Sequence, residues 1–220
     1  MSDQVADHIV RYIAEHRLEP GQSLPSEGEL TRILGVSRPT VREATNALVG
    51  RGLIAVSSGK TPIVLGLSKA PFSNLVRHGL ATQQVTPTQI LEVRHSLELQ
   101  AAALAALHRS ETDIECLNLI TAQMPAAVGD VEKFSPLDAA FHEAIARATQ
   151  NVLLSAIIMG LGEITFESAR SGLARARDQA EWDIVLSTHL ELAEAIIKGN
   201  AALARKRVDA HFKAAFGRYT

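Results

Sequence analysis

The hydrophobic residues of this chain recur mostly at intervals of three and four, the spacing of one face of an α-helix. Early in the chain this pattern has a short interruption. Leu30 and Leu34 lie on one apolar face, and Gly35 then ends that helix, since a residue past a helix end often needs a left-handed backbone. A second apolar face runs from Val41 to Leu48. Two helices joined by a short turn that contains glycine predict a helix-turn-helix.

Both helices of this motif carry sequence signals for their first residues. Ser26 is followed three residues later by Glu29, which is the pattern of a capping box. Ser37 can cap the second helix, and Pro39 occupies its first turn, where a missing N–H costs little. Two short β-branched runs then flank a turn around Gly59 and predict a hairpin. A hairpin directly after such a helix would be a wing.

The pattern stays helical after this hairpin, without sustained strand-like alternation. We therefore expect a mostly α protein. Its parts are a winged helix-turn-helix of three helices plus a β-hairpin wing in residues 1–66, a linker at 67–72, and an all-α bundle of six or seven helices in residues 73–220. The expected helices outside the motif run over residues 3–17, 86–108, 110–128, 131–149 with an interruption near Pro136, 151–170, 174–198 and 201–216.

Composition excludes several classes of protein. No stretch is long and apolar enough to span a membrane, and the N-terminus lacks a signal-peptide pattern. Cys116 is the only cysteine, so no intrachain disulfide can form, which fits a reducing cytoplasm. The net charge is only −2. The cations of the first domain nevertheless cluster in the second helix and the wing, at Arg38, Arg42, Arg51 and Lys60.

The polar face of the second helix carries the first candidate chemistry. Arginine can bind guanine edges or phosphates bidentately, and hydroxyl groups at a helix N-terminus suit phosphate oxygens. An ordinary solvated face would be the simpler interpretation of two isolated arginines. The two caps, the glycine turn and the predicted wing together favour a DNA-binding face. Its residues are Ser37, Arg38, Thr40, Arg42 and Asn46.

A second set of polar residues lies within the apolar faces of the bundle. Asp138 and His142 are four residues apart and share one helix face. His189 and His211 are embedded in apolar runs of two later helices. If these side chains converge, three imidazoles and one carboxylate suit Zn²⁺ or another divalent ion such as Ni²⁺ or Mn²⁺. The spacing alone is weak support, because a helical histidine is more often a surface or hydrogen-bonded residue.

Two further residues each allow two interpretations. Arg94 can bind a carboxylate bidentately, or it can form a surface pair with Glu98 one turn later. Asn151 can contact the metal shell or a bound ligand, or it can cap a helix.

The sequence from Pro25 to Ile54, PSEGELTRILGVSRPTVREATNALVGRGLI, resembles the winged-helix domain of GntR-family bacterial transcription regulators. The resemblance covers nearly every position of this stretch. The family usually has arginine where this chain has Gly28, so we expect its DNA contacts to be distributed differently. The DNA-contacting residues that the resemblance implies are Ser37, Arg38, Thr40 and Arg42 in the helix and Gly59 and Lys60 in a minor-groove wing.

Three later segments resemble the FCD effector-binding domain of the FadR subfamily. They are LEVR at 91–94 with Glu98, DAAFH at 138–142 followed by Asn151, and the residues around His189 and His211. Many members of this subfamily hold a metal ion that helps to bind a small carboxylate effector, and the resemblance implies the same here. The implied metal ligands are Asp138, His142, His189 and His211, and the implied effector-binding residues are Arg94 and Asn151.

We therefore expect a ligand-responsive transcription regulator and no enzyme. A homodimer would bind a palindromic operator, and a small organic acid held near the metal would release or reset it, more readily as a repressor than as an activator. One alternative is a DNA-binding protein that is constitutive or for which the metal is itself the signal. A metallohydrolase is disfavoured, because the chain has no HExxH pair, nucleophile elbow or phosphate-binding glycine loop.

Overall fold

The computed structural model describes residues 2–57, 61–176 and 178–216. The chain divides into two compact units, Met1–Pro71 and Phe72–Thr220. In the first unit the elements are α1 (Ser2–Glu15), α2 (Glu27–Leu34), α3 (Arg38–Gly50), β1 (Ile54–Ala55) and β2 (Ile63–Val64). In the second they are α4 (Ala70–Ala81), α5 (Pro87–His108), α6 (Glu111–Ala127), α7 (Val131–Ala148), α8 (Val152–Leu173), α9 (Gln179–Ile197) and α10 (Ala201–Phe216).

The first unit is a winged helix-turn-helix, as predicted. Helices α1 and α2 both pack on α3, and β1 pairs with β2 in antiparallel register, with Ile54 opposite Val64. One apolar cluster holds these elements together, because each contributes side chains to it. Its fully buried large residues are Ile9, Leu30, Leu48 and Ile54.

The turn of this motif is set by local backbone chemistry. Ser26 accepts a hydrogen bond from the Glu29 backbone N–H at 3.3 Å, and the Glu29 carboxylate accepts one from the Ser26 backbone N–H at 2.8 Å. This reciprocal capping box fixes the start of α2. Gly35 has φ 65°, the left-handed conformation that ends α2. Ser37 then accepts from the Thr40 backbone N–H at 3.4 Å and starts α3.

The second unit is an all-α bundle, and seven helices lie in its described residues. Helix α5 packs against α7, α8, α9 and α10, and its buried face is rich in alanine, which lets these neighbours approach closely. The bundle therefore has a central helix that reaches every element of the site described below. Its largest fully buried side chains are Leu117, Met124, Phe134, Phe141, Ile145, Ile158, Leu192 and Ile196.

Three details differ from the predicted boundaries. Helix α4 begins at Ala70, so it starts inside the segment expected to be a linker. Helix α9 begins at Gln179, where Asp178 caps it by accepting from the Glu181 backbone N–H. The predicted interruption near Pro136 is wrong: α7 is continuous there, although proline removes one backbone hydrogen bond of the helix. Among the described residues, no helix is long and apolar enough to cross a membrane.

Two glycines of the helix-turn-helix should respond to alanine in opposite directions. Gly35→Ala should lower the free energy of unfolding by about 1 kcal/mol, because the added Cβ meets no neighbour within 4 Å but is strained at positive φ. Gly28→Ala should raise it by about 0.5 kcal/mol, because Gly28 lies in the first turn of α2 without positive φ. Urea unfolding of the full chain measures both. Equal effects of the two substitutions would contradict this description of the turn.

Candidate metal and effector site

Three helices bring four side chains to one point inside the second unit. Asp138 and His142 project from α7, His189 from α9 and His211 from α10, and one potential ligand atom of each lies within 4.8 Å of the others. All three imidazoles are buried, and Asp138 is partly buried. These four residues, which we call the Asp–His cluster, are the ones that the sequence analysis named, and their role as metal ligands stays a prediction.

Two of the imidazoles are oriented by oxygen atoms outside the cluster. The Nδ1 atom of His142 lies 2.5 Å from Oε2 of Glu98, and Nδ1 of His189 lies 2.7 Å from the carbonyl oxygen of Val185. A carbonyl oxygen or a carboxylate can only accept, so Nδ1 carries the proton in both rings. The Nε2 atoms of both rings are thereby directed towards Asp138.

The third imidazole, that of His211, also has an oxygen atom near its Nδ1, but at a longer distance. Nδ1 of His211 lies 3.4 Å from the hydroxyl of Thr188, one residue before His189 on α9. The rings of His189 and His211 pack edge to face with their centroids 4.5 Å apart. Each ring of the Asp–His cluster therefore has an outer partner on Nδ1, the arrangement that commonly orients histidine ligands of metals.

The protonation states of the cluster also suit a cation. Burial by itself would raise the pKa of Asp138, but the hydrogen bond from His189 at 2.8 Å and the charges of the surrounding imidazoles outweigh it and hold this pKa well below its usual range. Burial lowers the pKa of His211, and the neighbouring His189 and His142 lower it further. Metal ligands must be ionised carboxylates and neutral imidazoles, and the lowered pKa values of Asp138 and His211 favour these forms of the two residues.

The chemistry of this donor set fits a borderline divalent ion. Three imidazole nitrogens and one carboxylate oxygen are ligands that Zn²⁺, Ni²⁺ and Mn²⁺ all accept. Four protein ligands leave coordination positions for water or a small molecule on any ion that takes five or six ligands. The Asp–His cluster can therefore hold a metal ion and present it to a bound ligand.

Arg94 lies in the interior of the bundle, not on its surface. Its Nε donates to Oε1 of Glu98 at 2.6 Å, and its Nη1 donates to the hydroxyl of Thr165 on α8 at 2.8 Å. The guanidinium also lies over the ring of Phe212, 5.9 Å from its centroid. The interpretation of Arg94 and Glu98 as a surface pair is wrong, since the two side chains are 8% and 2% exposed.

Glu98 is the residue whose importance the sequence analysis missed. Burial alone would raise the pKa of this carboxyl, but Arg94 and His142 outweigh that effect and lower it. The helical repeat contained a signal, because Glu98 continues the stripe of Leu91 and Arg94 towards Ala101 and so lies on the buried face of α5.

Asn151 lies between α7 and α8, three residues beyond the last residue of α7. Its side-chain oxygen accepts from the Leu154 backbone N–H at 3.0 Å and caps α8. The helical rise places the last residue of α7, Ala148, about 9 Å further along the axis than His142. The capping role is therefore the one with direct structural support, and an effector contact by Asn151 stays a prediction.

The predicted DNA-binding face is exposed in the first unit. Ser37, Arg38 and Arg42 are exposed on α3, and Thr40 is partly buried. The Arg42 guanidinium pairs with Glu27 of α2 at 3.0 Å. Gly59 and Lys60 lie outside the described residues.

Gly28, where the resembling family usually has arginine, lies next to Arg38. A Cβ atom on Gly28 would lie 3.8 Å from Nη2 of Arg38, which is an ordinary van der Waals distance.

A winged helix-turn-helix with an exposed basic helix, followed by a helical unit with an internal polar site, is the architecture of a transcription regulator with a control domain. The model of the family "Bacterial regulatory proteins, gntR family" matches residues 1–64, and that of the FCD domain matches residues 89–214. The chain belongs to the GntR family of bacterial transcription regulators and carries an FCD domain. FCD domains often bind metal ions, and the Asp–His cluster lies within the matched range.

Characterised relatives agree with this assignment. The chain is 30% identical over 201 residues to the HTH-type transcriptional regulator LutR of Bacillus subtilis, covering 90% of this chain and 92% of that protein. It is 34% identical over 169 residues to the Glc operon transcriptional activator of Escherichia coli, covering 74% of this chain. The match spans 66% of that activator, slightly under two thirds of its length.

A solved structure supports the same fold. The chain aligns with Streptococcus agalactiae GntR over 100% of its own length and 99% of that chain, with a TM-score of 0.74 and 24% sequence identity. The matched families and the named relatives are regulatory proteins, so this chain is a DNA-binding transcription regulator and not an enzyme.

Removal of two imidazoles should abolish metal binding by the Asp–His cluster. We expect the zinc-loaded chain to retain about one ion after dialysis, and the double variant His189→Ala/His211→Ala to retain none, because only two of the four ligands remain. Elemental analysis measures the stoichiometry. His78→Ala, which removes an exposed histidine of α4, is the matched control and should keep the ion. Stoichiometric zinc in the double variant would contradict the ligand assignment.

Proposed function

We propose that this chain is an effector-controlled repressor. Residues 1–66 bind operator DNA, and residues 73–220 hold a divalent metal ion and a small organic acid. The observation that carries the proposal is the convergence of four ligand atoms within 4.8 Å of one another in the control domain. Zn²⁺ is our first choice of metal, and Ni²⁺ or Mn²⁺ are the alternatives with the same ligand preferences.

The effector proposed is a small hydroxycarboxylate. Its carboxylate and hydroxyl oxygens suit the coordination positions that the four protein ligands leave open on an ion with five or six ligands. Arg94 supplies positive charge close by, since its charge contributes to lowering the pKa of His211. The hydrogen bonds of Arg94 to Glu98 and Thr165 hold its guanidinium in place, which reduces the entropy lost when it binds an anion.

The names of two relatives favour this class of effector. One, from Escherichia coli, is described as the proposed regulatory protein of the L-lactate dehydrogenase operon; it is 31% identical over 220 residues, which cover 96% of this chain and 83% of that protein. Lactate is a hydroxycarboxylate, so L-lactate is the first compound to test. The Glc relative is named an activator, so the test must also show whether this chain represses or activates transcription.

DNA recognition is proposed to involve a homodimer on a palindromic operator. Two copies of α3 related by a two-fold axis would read two half-sites of matching symmetry. Arg38 and Arg42 would supply base or phosphate contacts, together with Ser37 and Thr40 at the helix N-terminus. An effector can change operator affinity only if it binds the DNA-competent and the incompetent states with different affinities.

A metal-responsive regulator is the second candidate, because the Asp–His cluster alone would sense an ion without Arg94. Arg94→Lys separates the two. Lysine keeps the positive charge but lacks the planar fork that binds carboxylates bidentately. Under our proposal the variant keeps zinc and operator binding and loses the response to L-lactate. If the metal is itself the signal, the variant remains regulated by zinc in the same way as the parent protein.

A gel-shift titration of zinc-loaded protein with the DNA upstream of its own gene tests the proposal. We expect retardation at physiological salt that L-lactate weakens, and no such weakening for Arg94→Lys. Arg38→Ala should weaken operator binding by about 1–3 kcal/mol, while Arg11→Ala on α1 serves as the control for loss of one exposed arginine. Absence of sequence-specific retardation would refute operator binding. If neither L-lactate nor related hydroxy acids change the retardation, the proposed class of effector is refuted.

A further inference from the structure

We propose that Glu98 is a positioning residue shared by the two halves of the control site, orienting His142 for the metal and Arg94 for the effector. The inference rests on the proposed function. It adds that one carboxylate holds a side chain in each half of the site.

The geometry assigns one oxygen of Glu98 to each partner. Oε2 accepts from Nδ1 of His142 on α7, and Oε1 accepts from Nε of Arg94 on the same helix as Glu98. The two distances are 2.5 Å and 2.6 Å, so both contacts are direct hydrogen bonds to the carboxylate. Arg94 continues the connection to Thr165 on α8. A single buried side chain thereby links a metal ligand to a carboxylate-binding group and to a third helix.

Only an ionised carboxylate satisfies both partners. His142 and Arg94 each direct an N–H group at Glu98, and both oxygens of a carboxylate accept. A glutamine would offer one oxygen and one NH₂ group, so one of the two partners would face a donor. The side chain of Glu98 is 2% exposed, which leaves little access for water to relieve that conflict.

Glu98 differs from the other outer partners of the Asp–His cluster. Within the described residues, the outer partner of His189 is a backbone carbonyl and that of His211 is the hydroxyl of Thr188. Glu98 instead supplies a carboxylate, which also accepts a hydrogen bond from Arg94. A carboxylate on the outer nitrogen fixes the ring and increases its basicity as a ligand, so the loss of this partner should cost more metal affinity than the loss of a hydroxyl.

Zinc affinity of the full chain, measured by competition with a chromophoric chelator, tests this assignment. Glu98→Gln should weaken zinc binding about 10- to 100-fold, the range typical of a lost outer partner. Thr188→Val removes the 3.4 Å contact to His211 and should change the affinity by less than about threefold. Thr165→Val removes a hydrogen bond of Arg94 without touching any zinc ligand, and it is the control for disturbing the buried network.

Glu98→Asp separates positioning from charge. It keeps the negative charge but is one methylene shorter, so it cannot reach both partners. We expect it to weaken zinc binding as well, and it also replaces Glu98→Gln in the test if that variant does not fold. Zinc affinity equal to that of the parent protein in Glu98→Asp would show that only charge matters and would overturn the positioning role.

The proton on Nδ1 of His142 provides a readout that a purely structural residue would not change. In protein labelled with ¹⁵N-histidine, this proton should give a strongly downfield resonance in the zinc-loaded chain. The resonance should move upfield or vanish in Glu98→Gln and stay in place in Thr165→Val. A parent protein that takes up none of Zn²⁺, Ni²⁺ and Mn²⁺ would refute the proposed function and this inference with it. A parent protein that binds zinc while Glu98→Gln binds equally tightly would refute the inference alone.

Discussion

The control domain depends on burying two carboxylates beside cationic and imidazole groups. An ionised carboxylate inside a protein costs several kcal/mol unless hydrogen bonds and opposite charges compensate it. Asp138 is compensated by three imidazoles, and Glu98 by Arg94 and His142. Each compensating group comes from a different helix or a different turn, so these contacts specify how α5, α7, α9 and α10 pack. Because buried carboxylates need partners, the contacting side chains direct their ligand atoms to one point. This point is where we propose that the metal ion binds.

The DNA-binding unit depends on a different kind of constraint, because its geometry is set by short-range backbone interactions. The capping box of Ser26 and Glu29, the left-handed Gly35 and the cap at Ser37 determine where α2 ends and α3 begins. One apolar cluster then fixes the angle between the helices. Substitutions of exposed residues of α3 can therefore change which operator sequence is recognised without altering the turn. Substitutions inside the bundle can change which effector is bound without altering the turn or α3.

These two kinds of constraint explain how much was predictable from the sequence. Caps and turns act between residues three or four apart, so the bounds of α2 and α3 could be predicted closely. Convergence of the Asp–His cluster depends on helix packing, which spacing alone does not reveal, and it was predicted through family resemblance. Glu98 was misread because an i,i+4 ion pair looks the same on a surface as in a core. Only the burial of α5 on four neighbouring helices distinguishes the two.

The Asp–His cluster is proposed to be a metal site, and the coordination shell of the bound ion tests this proposal most directly. X-ray absorption at the zinc edge, measured on the zinc-loaded full chain, should show nitrogen and oxygen ligands at about 2.0–2.2 Å. The outer-shell scattering should correspond to three imidazole rings. A shell with a sulfur ligand at about 2.3 Å, which only the exposed Cys116 or a methionine could provide, or one with fewer than two imidazoles, would contradict the account.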